Sequence, residues 1–148
     1  MNRIGRLEKM LDRITVIFAF LQQDGVIKLD VLRLVRGKHG VQVEEDVREV
    51  IAGDIGEMKL KEPTLLLVAG HGIIRKVFHE GDEDGIRRVT ENENIIWERF
   101  DRDDGECVLC FTRRDKIESL EEELHGYQVP VIETCLQGVR SGEEGIPM

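Results

Sequence analysis

The stretch GECVLCFTRRDKIESLEEELHGYQVPVIETCLQG, residues 105–138, decides the fold class. Its first apolar run is Cys107, Val108, Leu109, Cys110 and Phe111; its second holds Val129, Val131, Ile132, Cys135 and Leu136. Between them Ile117, Leu120 and Leu124 recur at helical spacing, with Thr112 placed to cap a helix and Gly126 to end it. Roughly twenty residues separate the runs, too many for a hairpin and suited to a helical crossover. The two strands are therefore expected to pair in parallel beneath a covering helix, which makes the chain α/β.

Working outward, residues 14–21 form a continuous apolar strand, and Gln22-Gln23-Asp24-Gly25 follows with an Asp-Gly hairpin signal. The N-terminal pair should thus be antiparallel, its second strand showing mixed burial from Val26 to Val35. A short third strand fits Val41 to Val43. Residues 44–55 read as a helix, because Val47, Val50, Ile51 and Ile55 fall at i, i+3, i+4 and i+8 behind an acidic first turn. Residues 64–69 are a buried strand, turned by Gly70-His71-Gly72 into a second run over 73–78 that Arg75 and Lys76 interrupt. This run should be an exposed ribbon. Residues 79–85 read as an acidic surface loop. Thr90 with Glu93 fits a capping box ahead of Ile95, Ile96, Trp97 and Phe100, but the same residues fit a strand, and both readings stand. The expected organisation is a polar lead-in over residues 1–12, one domain over 13–138 with a ribbon subdomain near 64–100, and a tail over 139–148.

A chain of 148 residues can bury about two thirds of its unfolded surface and needs no disulfide framework. With 41% hydrophobic and 34% charged residues it has a globular composition, and its apolar runs are too short to span a bilayer. The charged start lacks the pattern of a secretory leader, so a cytoplasmic location without membrane insertion is expected. A net charge of −9 disfavours nucleic acid and anionic lipid, both of which select clustered Lys and Arg.

Candidate chemistry is sparse. Cys107 and Cys110 have C-x-x-C spacing, yet three residues apart in a strand they point to opposite faces, so they and Cys135 read as buried small hydrophobes. Gly70-His71-Gly72 is followed by β-branched Ile73-Ile74 instead of a helix start, which favours a tight turn with His71 exposed over a phosphate loop. His39, His71, His79 and His125 belong to no metal motif; the pairs Asp82/Asp84 and Asp103/Asp104 read as solvated loops, and Trp97 as a core anchor.

The segments TLLLVAGHGIIRK (64–76), CFTRRDKIESLEEEL (110–124) and YQVPVI (127–132) carry a resemblance. In that order they resemble the N-terminal portion of the actin-like assembly proteins of type IV pili, the PilM family, and the cytoplasmic domain of the type II secretion protein L. The resemblance implies a mixed sheet of the ribonuclease H-like, actin-like half type and a cytoplasmic, non-catalytic scaffold that works through protein partners or as a homodimer. It also implies that the chain corresponds to the first of two lobes. Candidate partner-binding residues are Ile74, Arg75, Lys76 and Phe78, with the acidic loop 80–84 beside them. Hydrolysing relatives carry a phosphate loop between the first two strands. Here that turn lacks the accompanying small or hydroxyl residues, so no cofactor is expected. The alternative is an ATP- and Mg-binding lobe in which Asp24 and Gly25 face phosphate, and a further alternative is a small dimeric regulator.

Overall fold

The computed structural model describes residues 12–137; the expected tail, Gly138 and nearly all of the expected lead-in lie outside them. In chain order the elements are β1 (Arg13–Leu21), β2 (Ile27–Gly37), β3 (Gly40–Ile51), a 3-10 segment (Ala52–Met58), β4 (Thr64–Gly70), β5 (Ile74–Phe78), α1 (Glu83–Thr90), β6 (Ile95–Asp101), β7 (Cys107–Arg113), α2 (Arg114–Gly126) and β8 (Val131–Leu136). They build a five-stranded sheet of order β3-β2-β1-β4-β8 and a three-stranded sheet of order β5-β7-β6. In the larger sheet β1, β2 and β3 are antiparallel neighbours, while β4 runs parallel to β1 and β8 parallel to β4. This is a mixed α/β fold with the expected N-terminal hairpin, consistent with the actin-like type.

Alternation along β1 sets the layers. Ile17, Ala19 and Leu21 lie on the face that also carries Leu29, Val31, Leu66 and Val68, and Ile117, Leu120 and Leu124 of α2 pack against it. The opposite face carries Ile14, Val16, Leu65, Leu67 and Cys135. Strand β4 is buried on both sides, which is why its sequence is an unbroken apolar run. The smaller sheet has its own cluster of Phe78, Val89, Cys107 and Leu109 beneath α1. Cys110, on the other side of β7 from Cys107, belongs to the main core, as strand parity requires of two residues three apart.

Two expected elements are corrected. The segment 44–55 is a strand and a 3-10 turn instead of a helix. A bulge explains the misleading spacing: Glu49 takes φ 56°, its N–H donates to Asp30 Oδ1 at 2.9 Å, and the extra residue puts Val47 and Val50 on one face, opposite Val31 and Leu29. An i, i+3 apolar pair in a bulged strand looks helical. The parallel pairing of 107–111 with 129–136 is also overturned, since β7 lies centrally in the small sheet between two antiparallel neighbours and β8 pairs with β4. The crossover therefore runs from β4 to β8 and contains the whole small sheet as well as α2.

Smaller corrections follow the same logic. Residues 79–85 are not all loop: Asp82 caps α1, its Oδ1 accepting from Gly85 N at 3.1 Å. Thr90 ends that helix instead of starting one, and Ile95–Asp101 is a strand. Thr112 does not cap α2; its hydroxyl donates to Gly72 O at 2.8 Å and fastens β7 to the turn after β4.

One ion pair pins the sheet's lower edge. Glu62, just before β4, accepts from Arg33 Nε and Nη2 on β2 at 3.0 and 2.9 Å, and from the buried Thr15 hydroxyl on β1 at 3.1 Å. Burial alone would raise the Glu62 carboxyl, but the Arg33 and Thr15 hydrogen bonds and the Arg33 charge outweigh it and hold the group below its ordinary value. A depressed carboxylate contributes stability that is fully present above its unfolded pKa and lost as pH falls through the folded one. Glu62→Gln should therefore cost about 1–2 kcal/mol at neutral pH. The deficit should shrink in acid, as read by urea midpoints from pH 7 down to pH 3; a pH-independent deficit would contradict it.

Candidate functional site

In α/β sheets ligands favour the carboxyl ends of parallel strands. Here those ends are Leu21 and Gly70, neighbours in the β1–β4 register. The β1–β2 turn is closed by Gly25 N donating to Gln22 O at 3.1 Å and Val26 N donating to Asp24 Oδ1 at 2.9 Å, with Gly25 at φ 87°. Across from it, His71 N extends the β4 ladder by donating to Leu21 O at 2.8 Å. Lys116, on the first turn of α2, lays its ammonium against Gly72. A crevice of about 250 Å³ results, lined by Gln22, Gly25, His71, Lys116, Ser119 and Glu123 among others.

Past Lys116 and Ser119 lies a second groove of about 570 Å³, walled by Ile74, Ile95 and Phe111 of the small sheet and by Arg113 and Asp115 at the start of α2. Arg113 is paired with Asp115 at 3.1 Å, whereas Lys116 makes no ion pair among the described residues. The arrangement offers an apolar wall, a lysine and a hydroxyl facing open space, which suits binding. Among the described residues no His, Cys, Asp or Glu group is placed to hold a metal ion.

The sequence-derived site residues separate. Gly25 lines the crevice, while the Asp24 carboxylate is spent on shaping its own turn. Ile74 is exposed and walls the larger groove. Lys76 stacks over Phe78, its Nζ 5.0 Å from the ring centre, and Phe78 itself is buried against α1, so it offers no docking surface. Arg75 points to the other face of β5. His71 is exposed on its tight turn, as expected. The lining residues that sequence reading missed, Ile95, Phe111, Lys116 and Ser119, come from elements whose adjacency depends on the two-sheet topology. No local signal marks them.

No family model matches the sequence, and no curated protein does. Among solved structures the chain is similar to the cytoplasmic domain of EpsL, an inner membrane component of the type II secretion system of Vibrio cholerae. The TM-score is 0.56 at 11% identity, over 84% of this chain and 56% of that one. The likeness is one of fold, and the chain spans little more than half the length of that domain. Among the described residues no helix is long and apolar enough to cross a membrane.

Proposed function

We propose that this chain is a non-catalytic docking domain of a bacterial secretion- or pilus-type envelope assembly, acting in the cytoplasm through protein–protein contacts. The observation that carries the proposal is the fold shared with a secretion-system cytoplasmic domain across most of the chain. The groove beside Ile74 and Phe111 supports it, because an open apolar wall rimmed by Lys116 and Arg113 suits a peptide or helix better than a reaction centre. No cofactor is required in this reading.

A nucleotide-binding lobe is the second reading, favoured by one feature: Gly25 and Lys116 line a single crevice at the carboxyl ends of β1 and β4. Two measurements separate the readings. A photo-crosslinking residue at Ile74, introduced in producing cells, should yield an adduct with a protein subunit of an envelope assembly, and calorimetric titration with Mg-ATP should be silent. Saturable Mg-ATP binding that disappears in Lys116→Ala would replace the docking reading with the nucleotide one.

A further inference from the structure

Among the described residues four strands lie at sheet edges, β3 and β8 in the large sheet and β5 and β6 in the small one. An edge strand turns alternate N–H and C=O groups away from its own sheet, where another chain can pair with them. Charge separates the four. β3, β6 and β8 each carry more acid than base, whereas β5, Ile74-Arg75-Lys76-Val77-Phe78, carries two cations and no acid. Arg75 and Lys76 point to opposite faces, and neither makes an ion pair among the described residues. Ile74, Arg75 and Lys76 are all exposed, and no backbone hydrogen bond among the described residues reaches them from the outer side.

We propose that β5 takes an extended acidic segment of a partner protein as a fourth strand of the small sheet. The inference rests on the docking reading and names the mode of contact and the partner's chemistry at that site. Both existing pairings in this sheet are antiparallel. An antiparallel addition sets three consecutive partner residues beside Lys76, Arg75 and Ile74, in that order along the partner. Side chains directly opposite one another share a face and interact. The first two partner residues are then acidic, one for each face. The third is apolar, because Ile74 is 50% exposed and walls the groove of about 570 Å³ together with Phe111. Lys116, on the rim of that groove and without an ion pair, adds a third cation for the incoming segment.

The same cations decide what stays off the edge. Two β5 strands meeting edge to edge would oppose like charges, so the strand is guarded against itself while it selects an acidic one. The acidic edge β3 of a second copy is a poor occupant. Its carboxylates are engaged within the chain, Glu44 with Arg13, Glu45 with Arg33, Asp46 with Arg48 and Glu49 with Lys28. The bulge at Glu49 also breaks the straight run of outward N–H and C=O groups that pairing needs.

Selection of random phage-displayed peptides on the full chain, followed by fluorescence anisotropy with the enriched sequences, tests it. The enriched peptides should share two consecutive acidic residues followed by an apolar one. Reversing both charges, Arg75→Glu with Lys76→Glu, should weaken their binding about 10-fold or more with an unchanged far-UV circular dichroism spectrum. Arg36→Glu with Lys38→Glu makes the same change in net charge at the distant β2–β3 turn and should leave binding unchanged. Hydrogen exchange of the β5 amides should slow in the complex, which separates an added strand from a peptide bound elsewhere. No enrichment, enrichment without the acidic pair, equal weakening by the two double variants, or unchanged β5 exchange would each overturn the inference. So would self-association of the chain that the β5 reversal abolishes, since a second copy would then be the occupant. The docking reading would survive any of these, because it is judged by the adduct at Ile74.

Discussion

Gly70→Ala is expected to remove most of the protein's stability, on the order of 3–5 kcal/mol. Gly70 closes β4 directly beside Leu21, with φ 105°, and a Cβ there would lie deep inside contact distance of the Leu21 carbonyl oxygen and 2.9 Å from its nitrogen. Both are backbone atoms of β1, the strand at the centre of the large sheet, and neither can move without opening the β1–β4 ladder. The left-handed φ adds strain of its own. Gly25→Ala supplies the control: its φ is 87°, but a Cβ would meet nothing within 4 Å, so only the strain of about 1 kcal/mol remains. Urea unfolding followed by circular dichroism compares the two. Equal losses would mean that the close approach of β1 and β4 at Leu21 is wrong.

The same contact shows what a reader of the sequence could and could not see. The Gly-His-Gly turn, the Asp-Gly hairpin, the buried run before Gly70 and the amphipathic face of α2 are all local patterns, and all were legible because each is set by residues within one turn or strand. Partner choice between strands was not. Cys107 to Phe111 is as apolar as β8, so periodicity treats them as natural partners; only the three-dimensional path shows β7 held by β5 and β6 while β8 passes to β4. The pairing on which the resemblance leaned is absent; the parallel strands of this chain are β1, β4 and β8 of the larger sheet. Strand β3 failed for a different reason. Its bulge at Glu49 shifts the side-chain phase by one residue, and a phase shift in a strand is indistinguishable from a helical spacing over so few residues. Of the crevice, the turn residues Gly25 and His71 stood out in the sequence, whereas Lys116 and Ser119 reach it from a helix far along the chain.

Leu124→Ala is the second large effect, and it tests whether the two sheets are one cooperative unit. Leu124 is fully buried on the inner face of α2, in a cluster that joins Ile17, Leu66 and Val68 of the large sheet to Cys110 of the small one. Truncation leaves a cavity with rigid sheet on one side, so about 2–5 kcal/mol should be lost. The loss should appear as a single shifted transition with β1, β4 and β7 amides exchanging faster together. Val89→Ala makes the contrast. Val89 sits in the separate cluster under α1 with Phe78, Cys107 and Leu109, and its two methyls contribute about 1.5 kcal/mol. Its faster exchange should be confined to α1 and the adjoining end of β5. If Leu124→Ala left β7 protection unchanged, α2 would cover the large sheet alone, and the small sheet would be an appended module whose groove could open without cost to the core.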